Sequence, residues 1–145
     1  MKLDGKKLRD LKARDIMSEV LVMLECDMDV GEAAGLFKRN RITGAPVVDE
    51  DGQVAGVLSI TDLLAYQTGI DIESKKASGY YHMSDILSVL PEEKKASPSG
   101  GVSKVRDLME KNFVSTNSWS AVSSVATLML QSKIRRVLII DNNRL

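Results

Sequence analysis

Three oxygen-bearing side chains crowd one short segment of the sequence, GVLSITDLL (Gly56–Leu64). They belong to Ser59, Thr61 and Asp62. The apolar residues before them predict a β-strand and those after them a helix, so all three lie where a strand turns into a helix. A helix N-terminus carries unpaired N–H groups and a partial positive charge, which suits a phosphate. The two hydroxyls could donate to that anion, and the carboxylate could accept from a pair of sugar hydroxyls.

Helix capping is the simpler interpretation of the same residues. A helix needs one capping oxygen to begin, so Ser59 or Thr61 would cap it, and Asp62 would complement its dipole. The nine residues of the segment leave both interpretations open.

Composition excludes several other kinds of chemistry. The 145 residues include one Cys, one His, and equal numbers of basic and acidic side chains, 20 of each. A formal charge of zero disfavours nucleic acid as a partner. A single cysteine, Cys26, excludes an intrachain disulfide and a cysteine zinc cluster, and we expect it to be a buried, inert thiol. No nucleophile stands with a base, and Asp62 has no second carboxylate at a catalytic spacing, so neither an enzyme nor a metal site is predicted.

No apolar run reaches the roughly 20 residues that span a bilayer. We therefore expect a soluble, cytoplasmic protein with no membrane partner.

The sequence contains an internal repeat. RDIM at Arg14–Met17 recurs as RDLM at Arg106–Met109, 92 positions later. The same offset aligns many apolar positions, and nine of these are predicted to be core: Val22, Val30, Ala34, Leu36, Val47, Val114, Val122, Leu128 and Ile139. One structural unit is therefore encoded twice.

Each repeat is predicted to have the element order β-α-β-β-α. The predicted elements are a helical turn at Arg14–Met17, strands at Val20–Leu24, Ala45–Val48 and Val54–Ser59, a helix capped by Asp29 and a last helix from about Thr61. The second repeat should have a strand at Phe113–Ser115, a helix at Ala121–Ser132 and a strand at Val137–Ile140. Its last strand and helix would fall beyond Leu145, so we expect it to be incomplete at its C-terminus.

The repeats predict three regions: residues 8–66, an insert at 67–104, and residues 105–145. Within the insert, Tyr80–Leu90 has enough apolar residues for a short helix. Residues 97–101, rich in Ser, Pro and Gly, predict a mobile loop because they offer little apolar surface to bury.

These motifs together resemble a tandem pair of CBS domains, the family named for cystathionine β-synthase. Its members begin with an RDIM-like turn, hold a strand like ITGAPVVD (Ile42–Asp49), and close with a motif like GVLSITD (Gly56–Asp62). The first repeat matches all three in order. The second repeat has Leu138 in the place of the proline and lacks the closing motif.

The resemblance implies an α/β fold in which two repeats are related by a pseudo-twofold axis, with their sheets packed together and their helices outside. It also implies a cleft between the repeats for an adenosine-containing ligand. In that site Asp62 would hold the ribose, and Ser59 and Thr61 would face the phosphate. The base would meet the backbone at the start of the central strand and an apolar wall, contributed by Thr43, Gly44, Ala45, Pro46 and Val22.

A basic pair is predicted to complete the site. Arg135 and Arg136 align with Thr43 and Gly44, a position that looks toward the ligand of the other repeat in the family. A solvated basic pair is the alternative. Alternatives also remain for Val20–Met23, which suit a core as well as an adenine wall. Trp119 could stack a base or staple the start of a helix.

Two functions remain open. The first is a regulatory, energy-sensing module that binds AMP, ADP, ATP or S-adenosylmethionine and passes on a conformational change. The second is a structural module that dimerises without a ligand. In either case we expect a homodimer, no required cofactor and at most one well-formed nucleotide site per chain.

Overall fold

A computed structural model of the chain describes residue 5, residues 7–68 and residues 103–145. The chain divides into two compact units. The middle unit is Val22–Lys111, and the terminal unit joins Met1–Leu21 to Asn112–Leu145. Each unit therefore contains one strand–helix–strand core and the short helical turn of the other sequence repeat. The predicted helix at Tyr80–Leu90 and the predicted loop at 97–101 lie outside the described residues.

A 3-10 turn at Leu8–Asp10 precedes the other elements. In chain order these are α1 (Ala13–Ile16), β1 (Leu24–Glu25), α2 (Val30–Asn40), β2 (Gly44–Val48), β3 (Val54–Ser59), α3 (Ile60–Thr68), α4 (Val105–Leu108), β4 (Ser115–Thr116), α5 (Val122–Ser132) and β5 (Leu138–Ile139).

The middle unit is built on a three-stranded sheet of order β1-β2-β3. β1 runs parallel to β2, whereas β2 and β3 form the predicted antiparallel pair. The connection between β2 and β3 is a tight turn in which Asp49 Oδ1 accepts from the amides of Asp51 (3.0 Å) and Gln53 (2.8 Å). Gly52 has φ +75°, the left-handed conformation that favours glycine.

The core of the middle unit lies between this sheet and its helices. Its largest fully buried side chains are those of Phe37, Leu24, Leu58, Val47 and Val105. Among the predicted core positions of this unit, Val30, Ala34 and Val47 are buried. Leu36 is partly buried and packs against this core, whereas Val22 is only partly buried and is not part of it, which corrects its prediction as core.

The first predicted strand is much shorter than Val20–Leu24. Only Leu24 and Glu25 have partners in β2, where they lie opposite Val47 and Val48. Val20 is 93% exposed, and Met23 is 50% exposed. The residues before Leu24 take no part in the pairing with β2, so they do not form the predicted buried strand.

The terminal unit has the same local plan with a smaller core. β4 and β5 form a parallel pair in which Ser115 lies opposite Leu138. Its buried residues are Leu11, Ala13, Ser118 and Leu138. The predicted core positions Val114, Val122, Leu128 and Ile139 are only partly buried, which is a second correction. A two-stranded sheet shields less surface than the three strands of the middle unit.

The repeat is reproduced in backbone detail. α2 and α5 have bounds that differ by the 92-residue offset, and both end in a left-handed residue, Arg41 (φ 52°) and Lys133 (φ 53°). At the start of α1 the Lys12 amide donates to Asp15 Oδ2 (2.8 Å), and at the start of α4 the Lys104 amide donates to Asp107 Oδ2 (3.0 Å). Equivalent residues thus make equivalent capping contacts.

Candidate ligand-binding site

Sheet pairing in the middle unit brings two of the predicted site segments together. Gly44, the first residue of β2, lies opposite Ser59, the last residue of β3. The amide of Ile60 donates to the Thr43 carbonyl at 2.9 Å, so the chain just before β2 is joined to the first residue of α3. Ala45 and Pro46 are buried beside this junction. The antiparallel register therefore places Thr43–Pro46 against the start of α3.

Ser59 and Asp62 cap α3 reciprocally. Asp62 Oδ2 accepts from the Ser59 amide at 2.7 Å and from the Ser59 hydroxyl at 2.6 Å. Ser59 Oγ in turn lies 3.4 Å from the Asp62 amide. This is a capping box, which satisfies N–H groups that the helix leaves without intrahelical partners. Ser59 and Asp62, two of the three oxygen-bearing side chains at this junction, therefore cap the helix.

Capping does not use up the Asp62 carboxylate. All of its hydrogen bonds to described residues go through Oδ2, and none of those bonds uses Oδ1. The side chain is partly exposed, and so is that of Ser59. Thr61 is exposed, with its Oγ1 at 2.7 Å from Ser59 Oγ. Capping and ligand binding can therefore coexist, because they use different oxygens of Asp62.

The remaining predicted site residues lie elsewhere. Val22 belongs to the middle unit and precedes β1, partly buried. Arg135 and Arg136 follow α5 in the terminal unit, and both lie at its surface. Partial removal of its guanidinium from water lowers the pKa of Arg136. The structure thus brings Ser59, Thr61 and Asp62 together with Thr43–Pro46, and assigns the arginine pair to the other unit.

The sequence did not predict that residues 103–110 pack against the strand leading into the site. Val57 and Glu110 exchange both backbone hydrogen bonds, each 2.9 Å long. A Cβ atom on Gly56 would lie 2.7 Å from the Glu110 carbonyl oxygen and 2.9 Å from Met109 Sδ. The glycine of the closing motif is therefore required by the close approach of this segment.

Ion pairs and a hydroxyl contact hold the same segment. Lys104 Nζ pairs with Asp29 Oδ1 at 2.5 Å, and Arg106 pairs with Asp27. The Tyr66 hydroxyl of α3 donates to Ser103 Oγ at 2.9 Å. Asp29 precedes α2 as predicted, but its side chain makes no capping hydrogen bond there. The sequence signal for these contacts was the repeated RD motif itself, whose partners only the fold reveals.

Cys26 is partly buried, less deeply than predicted. Burial raises the pKa of its thiol, and the nearby carboxylates of Asp49 and Asp27 raise it further. A raised pKa keeps the thiol protonated, which agrees with the predicted inert role. Within residues 7–68 and 103–145, no three Cys, His, Asp or Glu side chains cluster as metal ligands would. None of the described helices has the length and apolar character needed to cross a membrane.

The fold and the junction between β3 and α3 define an α/β repeat protein. Its first repeat matches a known family. Residues 13–69 match the CBS domain model. This part of the chain is thus a CBS domain, and the chain has the fold of CBS-domain pairs. The predicted resemblance and α/β fold class are confirmed.

Known proteins of several kinds are similar to the chain. The uncharacterized protein MJ1426 of Methanocaldococcus jannaschii is 25% identical over 141 residues, covering 89% of this chain and 79% of that protein. The structure of CBSX2 in complex with AMP superposes with a TM-score of 0.64 at 23% identity, covering 90% of this chain and 82% of that one.

The CBS domain pair of protein MJ0100, solved with 5′-methylthioadenosine and S-adenosyl-L-methionine, superposes with a TM-score of 0.61. It is 20% identical and covers 92% of this chain and 83% of the other. These two superpositions establish a common fold.

Proposed function

We propose that the chain is a regulatory module that binds an adenosine-containing ligand at the start of α3. The Asp62 carboxylate carries this proposal, because its capping hydrogen bonds use Oδ2 and not Oδ1. The side chain is also partly exposed. A carboxylate acceptor suits the hydroxyls of a ribose. The adjoining backbone of Thr43–Ala45 would receive the base, and Val22 would contribute to its apolar wall.

The comparisons support the ligand class. One structure of the same fold contains AMP, and another contains 5′-methylthioadenosine and S-adenosyl-L-methionine. All three ligands carry an adenosine group, whereas their other parts differ in charge and chemistry. An adenosine group is therefore the part that we expect this chain to recognise.

Calorimetry with AMP, ADP, ATP and S-adenosylmethionine tests the proposal. We expect at least one of them to bind, and a hundredfold excess over its Kd to stabilise the protein by about 2.7 kcal/mol in thermal unfolding. Asp62→Ala should weaken that binding by about 2–4 kcal/mol, because it removes charge-assisted hydrogen bonds to the sugar.

A matched control separates binding from capping. Asp107 caps α4 as Asp62 caps α3, since it accepts from the Lys104 amide. Asp107→Ala should cost about 0.5–2 kcal/mol of stability, the usual effect of a lost cap, and leave the affinity unchanged. Equal loss of affinity in both variants, or none in Asp62→Ala, would overturn the assignment.

A dimerising module without a ligand is the second candidate. Large apolar side chains lie at the surface of the terminal unit, including Val20 at 93% and Leu130 at 80% exposure. Apolar side chains that form a contiguous surface patch are typical of sites where proteins associate. We expect a dimer by sedimentation at micromolar concentration, and a monomer there would count against self-association. Absence of binding in the calorimetric panel would leave dimerisation as the better supported function.

A further inference from the structure

Residues 103–110 form a strap that lies against the loop before α2. The amide of Val105 donates to the Met28 carbonyl at 2.9 Å. Beside this contact, Asp29 and Lys104 form an antiparallel bridge. The start of the strap therefore pairs with the loop as one short antiparallel strand pairs with another.

The two sides of this pairing differ, because successive residues of paired chains face opposite ways. On the inner side, Val105 is fully buried in the core of the middle unit, and Met28 packs against that core. The outer side carries two ion pairs, Lys104 with Asp29 and Arg106 with Asp27. The four charged side chains are 38–56% exposed, so dissolved salt reaches and screens both pairs.

The terminal unit has the same pairing without the carboxylates. Lys12 and Ala121 form the equivalent bridge at the 92-residue offset. Arg14, the equivalent of Arg106, stacks over the ring of Trp119. An alanine and an uncharged ring therefore stand where the middle unit has two carboxylates. Because the ring carries no net charge, salt should weaken this contact much less than it weakens an ion pair.

The strap also contacts β3 and α3. Its last residue, Glu110, exchanges two backbone hydrogen bonds with Val57, in the strand that leads to the candidate site. Its first residue, Ser103, accepts a hydrogen bond from the Tyr66 hydroxyl of α3 at 2.9 Å. The terminal unit begins at Asn112, shortly after the strap ends. The strap therefore joins the strand and the helix of the candidate site to the chain that leads into the terminal unit.

We propose that the strap is an electrostatic latch, which opens locally while the rest of the middle unit stays folded. Val105 and the backbone contacts keep the latch closed, and the two exposed ion pairs set how often it opens. Since exposed ion pairs each contribute little, their loss shifts the opening equilibrium several-fold and does not unfold the unit. Opening releases β3 from Glu110 and frees the chain that leads to the terminal unit. The latch operates whether or not a ligand binds at the start of α3.

Hydrogen exchange on the full chain, followed by NMR, tests the latch at about 0.1 M and about 1 M salt. Between these concentrations the screening length falls from about 10 Å to about 3 Å. The amides of Val105, Arg106 and Glu110 should share one opening equilibrium and exchange faster than those of the β2–β3 pair. The protection factors of these three amides should fall by about threefold or more at the higher salt.

The equivalent contacts of the terminal unit provide an internal control. The amides of Ala13 and Arg14 donate to the carbonyls of Ser120 and Ser118, at 2.8 and 3.0 Å. Their protection factors should change by less than about twofold between the two salt concentrations, because no ion pair joins these residues. The amides of the β2–β3 pair report any effect of salt on the middle unit as a whole.

Substitutions separate the charge of the latch from its structure. Asp29 makes no capping hydrogen bond to α2, so its charge can be changed without removing a helix cap. In the Asp27→Asn/Asp29→Asn double variant, the strap should open more often at both salt concentrations and lose its salt dependence. Asp29→Lys should open it further, because two positive charges then face each other. Adding Lys104→Asp to that variant should restore protection, because the ion pair is rebuilt with its signs reversed.

Three outcomes would overturn the latch. Strap amides that exchange only when the β2–β3 pair does would make the strap a permanent part of the core. Strap protection that does not change with salt, or that changes no more than in the control amides, would exclude the ion pairs as its cause. Failure of Lys104→Asp to restore protection in Asp29→Lys, with the β2–β3 amides still protected, would show that Asp29 acts through structure and not through charge.

Discussion

The guanidinium of Arg14 stacks over the indole of Trp119 at 3.4 Å from the ring centroid. Both residues belong to the terminal unit. At the corresponding positions of the middle unit, offset by 92 residues, Arg106 forms an ion pair with Asp27. The arginine of the repeated RD motif therefore holds the loop before the long helix in both units, once through an aromatic face and once through a carboxylate.

Replacing Arg14 with Gln should lower the stability of the terminal unit by about 0.5–1 kcal/mol, the usual size of a cation–π contact at an exposed site. Trp119 is 61% exposed and is the protein's single tryptophan, so its fluorescence reports this contact directly. The emission of Trp119 should change in Arg14→Gln. It should be unaltered in the control Arg106→Gln, which breaks the ion pair of the middle unit.

Gly56→Ala should destabilise the middle unit by about 1–3 kcal/mol, the usual cost of an overpacked site. The added Cβ would lie 2.7 Å from the Glu110 carbonyl oxygen, and backbone cannot move aside as a flexible side chain can. Gly52→Asn is the control, because a Cβ there meets nothing within 4 Å and Asn tolerates positive φ. Chemical denaturation measures both variants, and equal stabilities would show that the Glu110 contact is loose.

The elements with a local signal were predicted well. The turn after Asp49 and the bounds of β3 follow from sequence pattern, because strand alternation and turn residues act over a few positions. Capping by Ser59 was part of one of the two interpretations that the segment allowed, but the hydrogen bonds by which Asp62 accepts from Ser59 were not predicted. What pattern could not predict is which distant segment contacts which strand. The pairing of Val57 with Glu110 depends on the chain returning after more than 50 residues, and Val20 is exposed although its apolar neighbours predict a buried strand.

The Asp141 carboxylate should make the stability of the terminal unit sensitive to acid. Hydrogen bonds from Ser118, including one from its amide at 3.0 Å, lower the pKa of Asp141 below its ordinary value of 3.8. A lowered pKa in the folded state means that the stabilisation is complete above that ordinary value and is lost as pH falls through the folded pKa.

Asp141→Asn should therefore reduce the melting temperature at pH 7. The difference in melting temperature between the variant and the unaltered protein should shrink well below pH 3.8. Thermal unfolding of the two proteins across this range measures it. A difference that stays constant with pH would show that the charge of Asp141 contributes nothing.

We expect the arginine pair between α5 and β5 to act on the phosphates of the ligand, as the family resemblance implies. Substituting Arg136 with Ala should weaken ATP and ADP more than adenosine, because a charge-assisted hydrogen bond to phosphate is worth about 1.5–3 kcal/mol and adenosine has no phosphate to lose. Arg135→Ala tests which of the two side chains contributes, since adjacent residues leading into a strand point in different directions.

Lys12→Ala is a control that removes a positive charge elsewhere in the terminal unit, so it shows how much of any effect is net charge. Calorimetry at two salt concentrations gives the readout, because a phosphate contact weakens as salt rises. An equal loss for adenosine and ATP would assign the arginines to the fold and not to the ligand.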